Sequence, residues 1–300
     1  FDPEHELIRQ TARQFCEREI APYHASWENA GVVPRSIWRA AGELGLLCMG
    51  LPTDLGGAAL DFRASVVLIE ELCRIGATGP GFALHSDIVA PYLLQFGNEE
   101  LRRSWLPRMA CGEVITAIAM TEPGAGSDLQ AIATRAVRDG DHYILSGSKT
   151  FITNGQSADC VIVVARTGSS DGARSLSLLL VEADRPGFRR GRNLAKIGMK
   201  AQDTSELFFD EVRVPVSNRL GEEHGGFACL MRGLPQERLI IAVQAVAATR
   251  AALGHTLDFT RSRRLFGATT FDFQNTRFVL ARARAELEVA QVFVDRCIAL

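Results

Sequence analysis

No pair among the seven cysteines (Cys16, Cys48, Cys73, Cys111, Cys160, Cys229 and Cys297) has Cys-x-x-Cys spacing. That argues against a zinc ribbon, a redox dithiol or a secreted disulfide framework, and leaves them as small apolar fillers of a reducing cytosol. The six histidines show no His-Glu-x-x-His, so no metal site is expected. No apolar run reaches the ~18 residues of a membrane helix; the longest, 239–248, carries Gln244. Membrane insertion is therefore not expected, and a soluble, cytoplasmic protein is. A net charge of −2 does not favour nucleic acid or an anionic membrane as partner. Aromatics make up only 7%, so any stacking platform has to be a specific site. Lysine is nearly absent: Lys149, Lys196 and Lys200 stand among thirty-three cationic residues. Phe1 opens the sequence in place of Met, as it would if a targeting segment lay upstream.

What is present suits a folded chain with a sizeable core: 300 residues, 47% hydrophobic against 23% charged. Residues 1–113 read as helices. Leu7, Ile8, Thr11 and Phe15 recur at helical spacing before Pro22, and Val66, Ile69 and Cys73 mark a second helix ended by the glycines from Gly76. Asn98 before Glu99 and Glu100 predicts an N-cap. Over 114–216 the period shortens, and the runs 114–120, 143–145, 160–165, 176–181 and 206–214 read as strands. No helix-length pattern separates them, so an antiparallel sandwich or barrel is expected rather than a parallel sheet. Helical period returns over 217–300. There Leu239, Val243, Val246, Leu253 and Leu257 share a face, and Leu280, Ala283, Leu287, Ala290, Val294 and Cys297 form a bundle stripe. A chain ending at Leu300 is expected to expose that second stripe. The fold class is thus α+β: a helical domain, a β-domain and a helical bundle.

Four segments carry polar chemistry. Residues 121–128 follow an apolar strand, with Gly124 and Gly126 allowing close backbone approach and Thr121 and Ser127 offering hydroxyls. The third glycine of a dinucleotide fingerprint is missing, and Gly147-Ser148-Lys149-Thr150 lacks the spacing of a P-loop. Phe151-Ile152-Thr153-Asn154-Gly155 ends in a turn signal, and its Phe could flank a planar cofactor or fill the core. Arg261, Arg263 and Arg264 before Phe266-Gly267 make either a helix-end cluster or a phosphate clamp. In Pro235-Gln236-Glu237-Arg238, Pro235 reads as a helix start and Glu237 as a charge at its positive end.

In order, these motifs resemble the acyl-CoA dehydrogenase family over essentially the whole chain. The family's first signature stands as Ala119-Met120-Thr121-Glu122-Pro123-Gly124-Ala125-Gly126-Ser127-Asp128, and its aromatic-Ile-Thr-Asn-Gly begins at Phe151. Its Lys-x-Gly-x-Lys to Glu-Leu-Phe-Phe segment runs from Lys196 through Phe209, and its Arg-x-x-Phe-Gly is at Arg263, with Gln274 behind. The resemblance implies α,β-dehydrogenation of an acyl-CoA to the trans-2-enoyl-CoA with FAD, in fatty-acid β-oxidation. It also implies a homotetramer and an electron-transfer flavoprotein as acceptor.

The same resemblance assigns cofactor contacts to Ile118, Ala119, Met120, Thr121, Gly126, Ser127, Phe151, Ile152 and Thr153, with Arg263, Phe266 and Gln274 reaching FAD of a neighbouring subunit. The run 234–239 is similar to the long-chain subgroup, which makes Glu237 the catalytic base. Ser127, Ala228, Pro235, Gln236 and Arg238 then lie at the substrate; Ala228 stands where that subgroup usually has an aromatic. The family's closing quarter has no counterpart here, so the bundle is expected to be incomplete. An oxidase on the same fold, or a non-catalytic acyl-CoA-binding subunit, are the rival expectations.

Overall fold

The computed structural model describes residues 1–168 and 172–300. Helices α1 (Pro3–Phe15), α2 (His24–Ala30), α3 (Arg35–Glu43) and α4 (Phe62–Arg74) pack first, and a π-turn (Cys16–Ile20) prolongs α1 before the chain bends. α4 is apolar on two sides for a reason. Ala64, Leu68 and Leu72 face the core shared with α1 and α3, while Val66 and Ile69 face a second core further along the chain. Asp61 caps α4 by accepting the amide of Arg63 at 2.9 Å, and Gly76, with φ +69°, turns the chain after it. A second π-turn (Leu84–Val89) leads into α5 (Ala90–Phe96), and α6 (Glu99–Ala110) starts at Asn98, whose side chain accepts the Leu101 amide at 2.9 Å.

The middle of the chain forms one sheet from β1 (Thr116–Ala119), β2 (Arg135–Asp139), β3 (His142–Thr153), β4 (Cys160–Arg166), β5 (Leu176–Glu182), β6 (Phe188–Asn193), β7 (Thr204–Pro215) and β8 (Arg219–Leu220). The order among the described residues is β6-β7-β3-β2-β4-β5-β8, with β1 added on β4. Most pairings are antiparallel, as expected, but β1 runs parallel to β4, and β2 meets β4 in parallel at Arg135 and Arg166. β4 and β5 read as unbroken apolar runs because both faces are buried. Cys160, Ile162, Val164, Leu178 and Leu180 face the α5–α6 helices, and Val161, Val163, Leu179 and Val181 face the other way into the sheet's own core.

Two strands have no apolar pattern to read: only Ala136 of β2 and Phe188 of β6 are buried. β3 runs well past the expected 143–145, because β7 pairs with its polar continuation.

α7 (Gly226–Ser262) and α8 (Gln274–Ile298) close the fold, joined through the hairpin of β9 (Arg264–Leu265) and β10 (Ala268–Thr269). By length and composition α7 could cross a bilayer. Here its Ile240, Val243, Val246 and Leu253 pack against α4 and α8 in a common core. That core also corrects the expectation for α8. Leu280, Leu287 and Val294 of the stripe are covered by α7, and the exposed large apolar residues of α8, Phe278, Val279, Val289, Val292 and Phe293, lie on another face. Arg250, which interrupts the α7 stripe, donates to Gln291 of α8 at 3.1 Å.

Truncating the two faces separates them. Leu287→Ala, at 3% exposure, should cost about 2–5 kcal/mol in urea denaturation. Val292→Ala, at 68% exposure, should stay within about 0.5 kcal/mol. Equal losses would contradict the assignment of the buried face.

Candidate functional site

Residues 121–128 are shaped by a buried ion pair. Glu122 and Ala125 exchange backbone hydrogen bonds of 2.9 and 3.1 Å, which folds Pro123 and Gly124 into a tight turn. The Glu122 carboxylate points inward and accepts the amides of Ala133 and Thr134 at 2.7 and 3.0 Å, and the Lys149 ammonium at 2.8 Å. Lys149 Nζ also donates to the Met120 carbonyl at 3.0 Å, and the Thr150 amide donates to the Thr121 carbonyl at 2.9 Å. Lys149 is 1% exposed, and burial draws its ammonium down to about 8 against the pull of Glu122. Burial alone would raise Glu122, but Lys149 and the amides hold it below the ordinary carboxylate range.

The second segment leaves regular strand geometry where it meets the first. β3 and β7 shift register between Lys149 and Ile152, and Phe151 takes φ +58° with its ring 67% exposed. A bulky side chain in the left-handed region is costly, and the bulge is what turns this ring outward. Just beyond, Asn154 (φ +62°) is buried and donates to the Thr116 carbonyl at 3.1 Å. Glycine at 81 makes room for it: a Cβ there would lie 2.1 Å from Asn154 Oδ1. Asp203 accepts the amides of Gln156 and Ser157 at 2.6 and 3.1 Å, closing the turn.

The third segment corrects an expectation. Pro235 does not start a helix; it lies inside α7, nine residues after Gly226. Glu237 is therefore mid-helix, and the role of a charge at a helix start is removed. Successive turns of α7 carry Phe227, Met231, Leu234 and Arg238 to one face. With Pro235, they line a cavity of about 450 Å³ whose other wall is Met120, Thr121, Gly126, Ser127 and Asp128. The same turns of helix give Gln236 and Glu237 to a smaller cavity of about 60 Å³, with Asp87, Tyr92 and Gln95 opposite. The Tyr92 hydroxyl donates to Glu237 Oε1 at 2.9 Å. Burial raises the Glu237 carboxyl, against the Tyr92 hydrogen bond and the Arg238 charge that pull it down. A third cavity, about 380 Å³ and mostly apolar, places Thr153 opposite Ile240, Ile241 and Gln244.

The structure thus brings Met120, Thr121, Gly126, Ser127, Pro235 and Arg238 together, with Gln236 and Glu237 on the same turn of α7 but lining the smaller cavity. Ile118, Ala119 and Ile152 have their side chains in the core, which leaves only their backbone available to a ligand. Ala228 is exposed beside Phe227 and lines none of the three cavities. Nor do Arg263, Phe266 and Gln274, which are exposed around the β9–β10 hairpin. That hairpin turns through Phe266 and Gly267, both at positive φ, leaving the Phe266 ring 97% exposed. Phe227, Met231 and Leu234 could have been found in the sequence, by stepping back from Arg238 at helical spacing. No sequence signal pointed to Tyr92.

A flavin fits these residues. A Cβ at Gly124 or Gly126 would meet nothing within 4 Å, which leaves their backbone open to a ligand. Met120 and Thr121 are half-buried on the wall of one cavity, Thr153 is half-buried on the wall of another, and the Phe151 ring is exposed at the bulge, so apolar groups and hydroxyls are both present.

Comparison with known proteins points the same way. Three family profiles match in order: the N-terminal domain of acyl-CoA dehydrogenase at residues 2–113, its middle domain at 117–212 and its C-terminal domain at 224–300. The mitochondrial long-chain specific acyl-CoA dehydrogenase of Sus scrofa is 47% identical over all of this chain and 70% of its own length. The crystal structure of an acyl-CoA dehydrogenase from Geobacillus kaustophilus superposes with TM-score 0.98 at 47% identity, covering 100% of this chain and 79% of that one. A glutaryl-CoA dehydrogenase from Mycobacterium smegmatis, solved with FADH2, gives TM-score 0.90 at 31% identity over 100% and 75% of the two chains.

Breaking the ion pair tests its place in the site. Lys149→Met leaves Glu122 buried without its cation and should cost about 3–5 kcal/mol by urea denaturation at neutral pH. A carboxylate held below its ordinary value contributes stability above that value and loses it as pH falls through the folded one. The parent should therefore weaken on acidification. The variant's deficit should narrow, since a protonated Glu122 no longer needs the cation. A deficit independent of pH would contradict the pairing.

Proposed function

Since the chain belongs to the acyl-CoA dehydrogenase family, we propose that Glu237 is the base of an FAD-dependent α,β-dehydrogenation that converts an acyl-CoA to its trans-2-enoyl-CoA. The protein is an oxidoreductase of acyl-CoA metabolism, and FAD is its cofactor. When bound, FAD supplies the acceptor for the hydride leaving Cβ. The chain's own residues do the rest. The α-proton of a thioester is weakly acidic, so the base must be ionisable near working pH and held against Cα. One observation carries the assignment. A half-buried carboxyl, raised by burial, stands in mid-helix on the same turns of α7 that face residues 120–128.

Thr121, Gly126 and Ser127 offer hydroxyls and open backbone to the cofactor, with Ser127 also reaching the thioester. Ile118, Ala119 and Ile152 contribute backbone, and Met120, Phe151 and Thr153 contribute surface. Pro235, Gln236 and Arg238 shape the substrate side, and Ala228, small and exposed, leaves room at its outer edge. Arg263, Phe266 and Gln274 serve a second copy in a homotetramer. Their exposure, and that of Phe278, Val289, Val292 and Phe293, supports assembly through this end of the molecule. An electron-transfer flavoprotein is the proposed acceptor. Three units, 1–113, 114–216 and 217–300, divide the work, the middle one carrying the flavin loops. The seven unpaired cysteines support a reducing compartment, for which we propose the cytoplasm; the porcine relative is named mitochondrial.

Glu237→Gln keeps size and helix propensity but removes the proton acceptor. Reduction of bound flavin by a saturated acyl-CoA should fall by more than the ~10²–10⁴ typical of assisting groups, with FAD content and acyl-CoA binding retained. Flavin reduction near the parent rate would sink the assignment.

A further inference from the structure

α5 buries the Tyr92 ring, 2% exposed, beside Phe96 at 5.9 Å between centroids. A phenol so placed needs a partner for its hydroxyl, and the partner is Oε1 of Glu237, 145 residues away in sequence. The neighbouring turn of α7 is bare at the matching point. Gly233 stands four residues before Glu237, and a Cβ on it would lie 2.4 Å from the Tyr92 hydroxyl and 2.6 Å from Cζ. Glycine inside a helix is unfavourable relative to alanine. The clearance it provides here is what lets the tyrosine reach the carboxyl.

We infer that Tyr92 is a positioning residue for the proton acceptor: its hydroxyl ties Oε1 of Glu237 and leaves Oε2 to take the α-proton of the acyl thioester. This rests on Glu237 being the base. The hydrogen bond is made to the ionised form, so it favours ionisation against the burial that opposes it. Without it, the carboxyl should ionise at higher pH. Other groups facing this point are Asp87 from the π-turn before α5, and Arg232, Cys229 and Arg238 from α7. Asp87 needs its own control. It accepts the Ser65 hydroxyl at 2.5 Å, and burial raises it to about 7, so it is a second carboxyl of this cavity that titrates within the pH range scanned.

The test uses the FAD-loaded full chain, with flavin reduction by a saturated acyl-CoA followed in single turnovers across pH. In Tyr92→Phe, which keeps the ring and its packing, the midpoint of the rising limb should move up by about one unit. The rate below the parent midpoint should fall about tenfold, and the two rates should converge at high pH, with acyl-CoA affinity unchanged. Gly233→Ala leaves the phenol intact but crowds its hydroxyl, and should shift the midpoint in the same direction. Asp87→Asn should leave the shift caused by Tyr92→Phe in place.

A second readout needs no turnover. A carboxyl raised in the fold costs stability as pH rises from its unfolded value through its folded one. Removing the Tyr92 hydroxyl widens that window, so the thermal midpoint of the FAD-loaded Tyr92→Phe protein should drop below the parent's more at alkaline than at acid pH. Parent midpoints in both Tyr92→Phe and Gly233→Ala, with Glu237→Gln still inactive, would overturn the role of Tyr92 and leave the base assignment standing. Parent-like reduction by Glu237→Gln would instead remove the base assignment itself.

Discussion

The Glu122–Lys149 pair holds together the three segments proposed to face the flavin. Met120 and Thr121 sit at the end of β1, Ala133 and Thr134 lead into β2, and Lys149 belongs to β3 two residues before Phe151. One carboxylate and one ammonium, both almost fully buried, tie all three to one point. An apolar pair of the same volume could pack as well, and removing two charges from water carries a large penalty. What an apolar pair could not do is accept two specific amides and donate to a specific carbonyl. Those bonds set where the backbone of residues 121–128 lies relative to the bulge at Phe151.

Around this point, the departures from regular structure fall where the chemistry is proposed. Phe151 and Asn154 are left-handed, α7 carries a proline in its interior, and Gly233 leaves a bare position under Tyr92. Each lowers local stability: the bulge turns the Phe151 ring outward, Asn154 ties its turn to Thr116, Pro235 faces the cavity of residues 120–128, and Gly233 clears space for Tyr92. The packed parts pay for this: the doubly buried β4 and β5, and α4 clasped between two cores.

Much of this fold was legible in the sequence, for reasons that differ by element. β4 and β5 showed themselves because burial on both faces leaves only apolar residues. Asn98 was legible as a cap because its bond is local. β2 and β6 were hidden, since each buries a single side chain and its strand identity comes from pairing partners. The polar half of β3 was hidden for a related reason: Lys149 looks like a surface residue until Glu122 is folded against it. Pro235 misled as a helix start, because a proline at the first turn and one inside a long helix look alike in a short window. The α8 stripe shows its apolar character in the sequence but not its partner, which α7 supplies from earlier in the chain. Of the site, the motif residues and Glu237 were legible through resemblance. Tyr92 was not, because its bond to Glu237 exists only once the π-turn and α7 are packed together.

The central claim is that Glu237 removes the α-proton. The most direct measurement isolates that proton from the hydride step. An acyl-CoA with sulfur in place of its β-carbon has no β-hydride to lose. Its α-hydrogens should still exchange into deuterium oxide on the FAD-loaded parent, as followed by proton NMR. With Glu237→Gln, the same thioester should bind while its α-hydrogens stay in place. Exchange by that variant at the parent rate would show that another group takes the proton, and would contradict the mechanism at its first step.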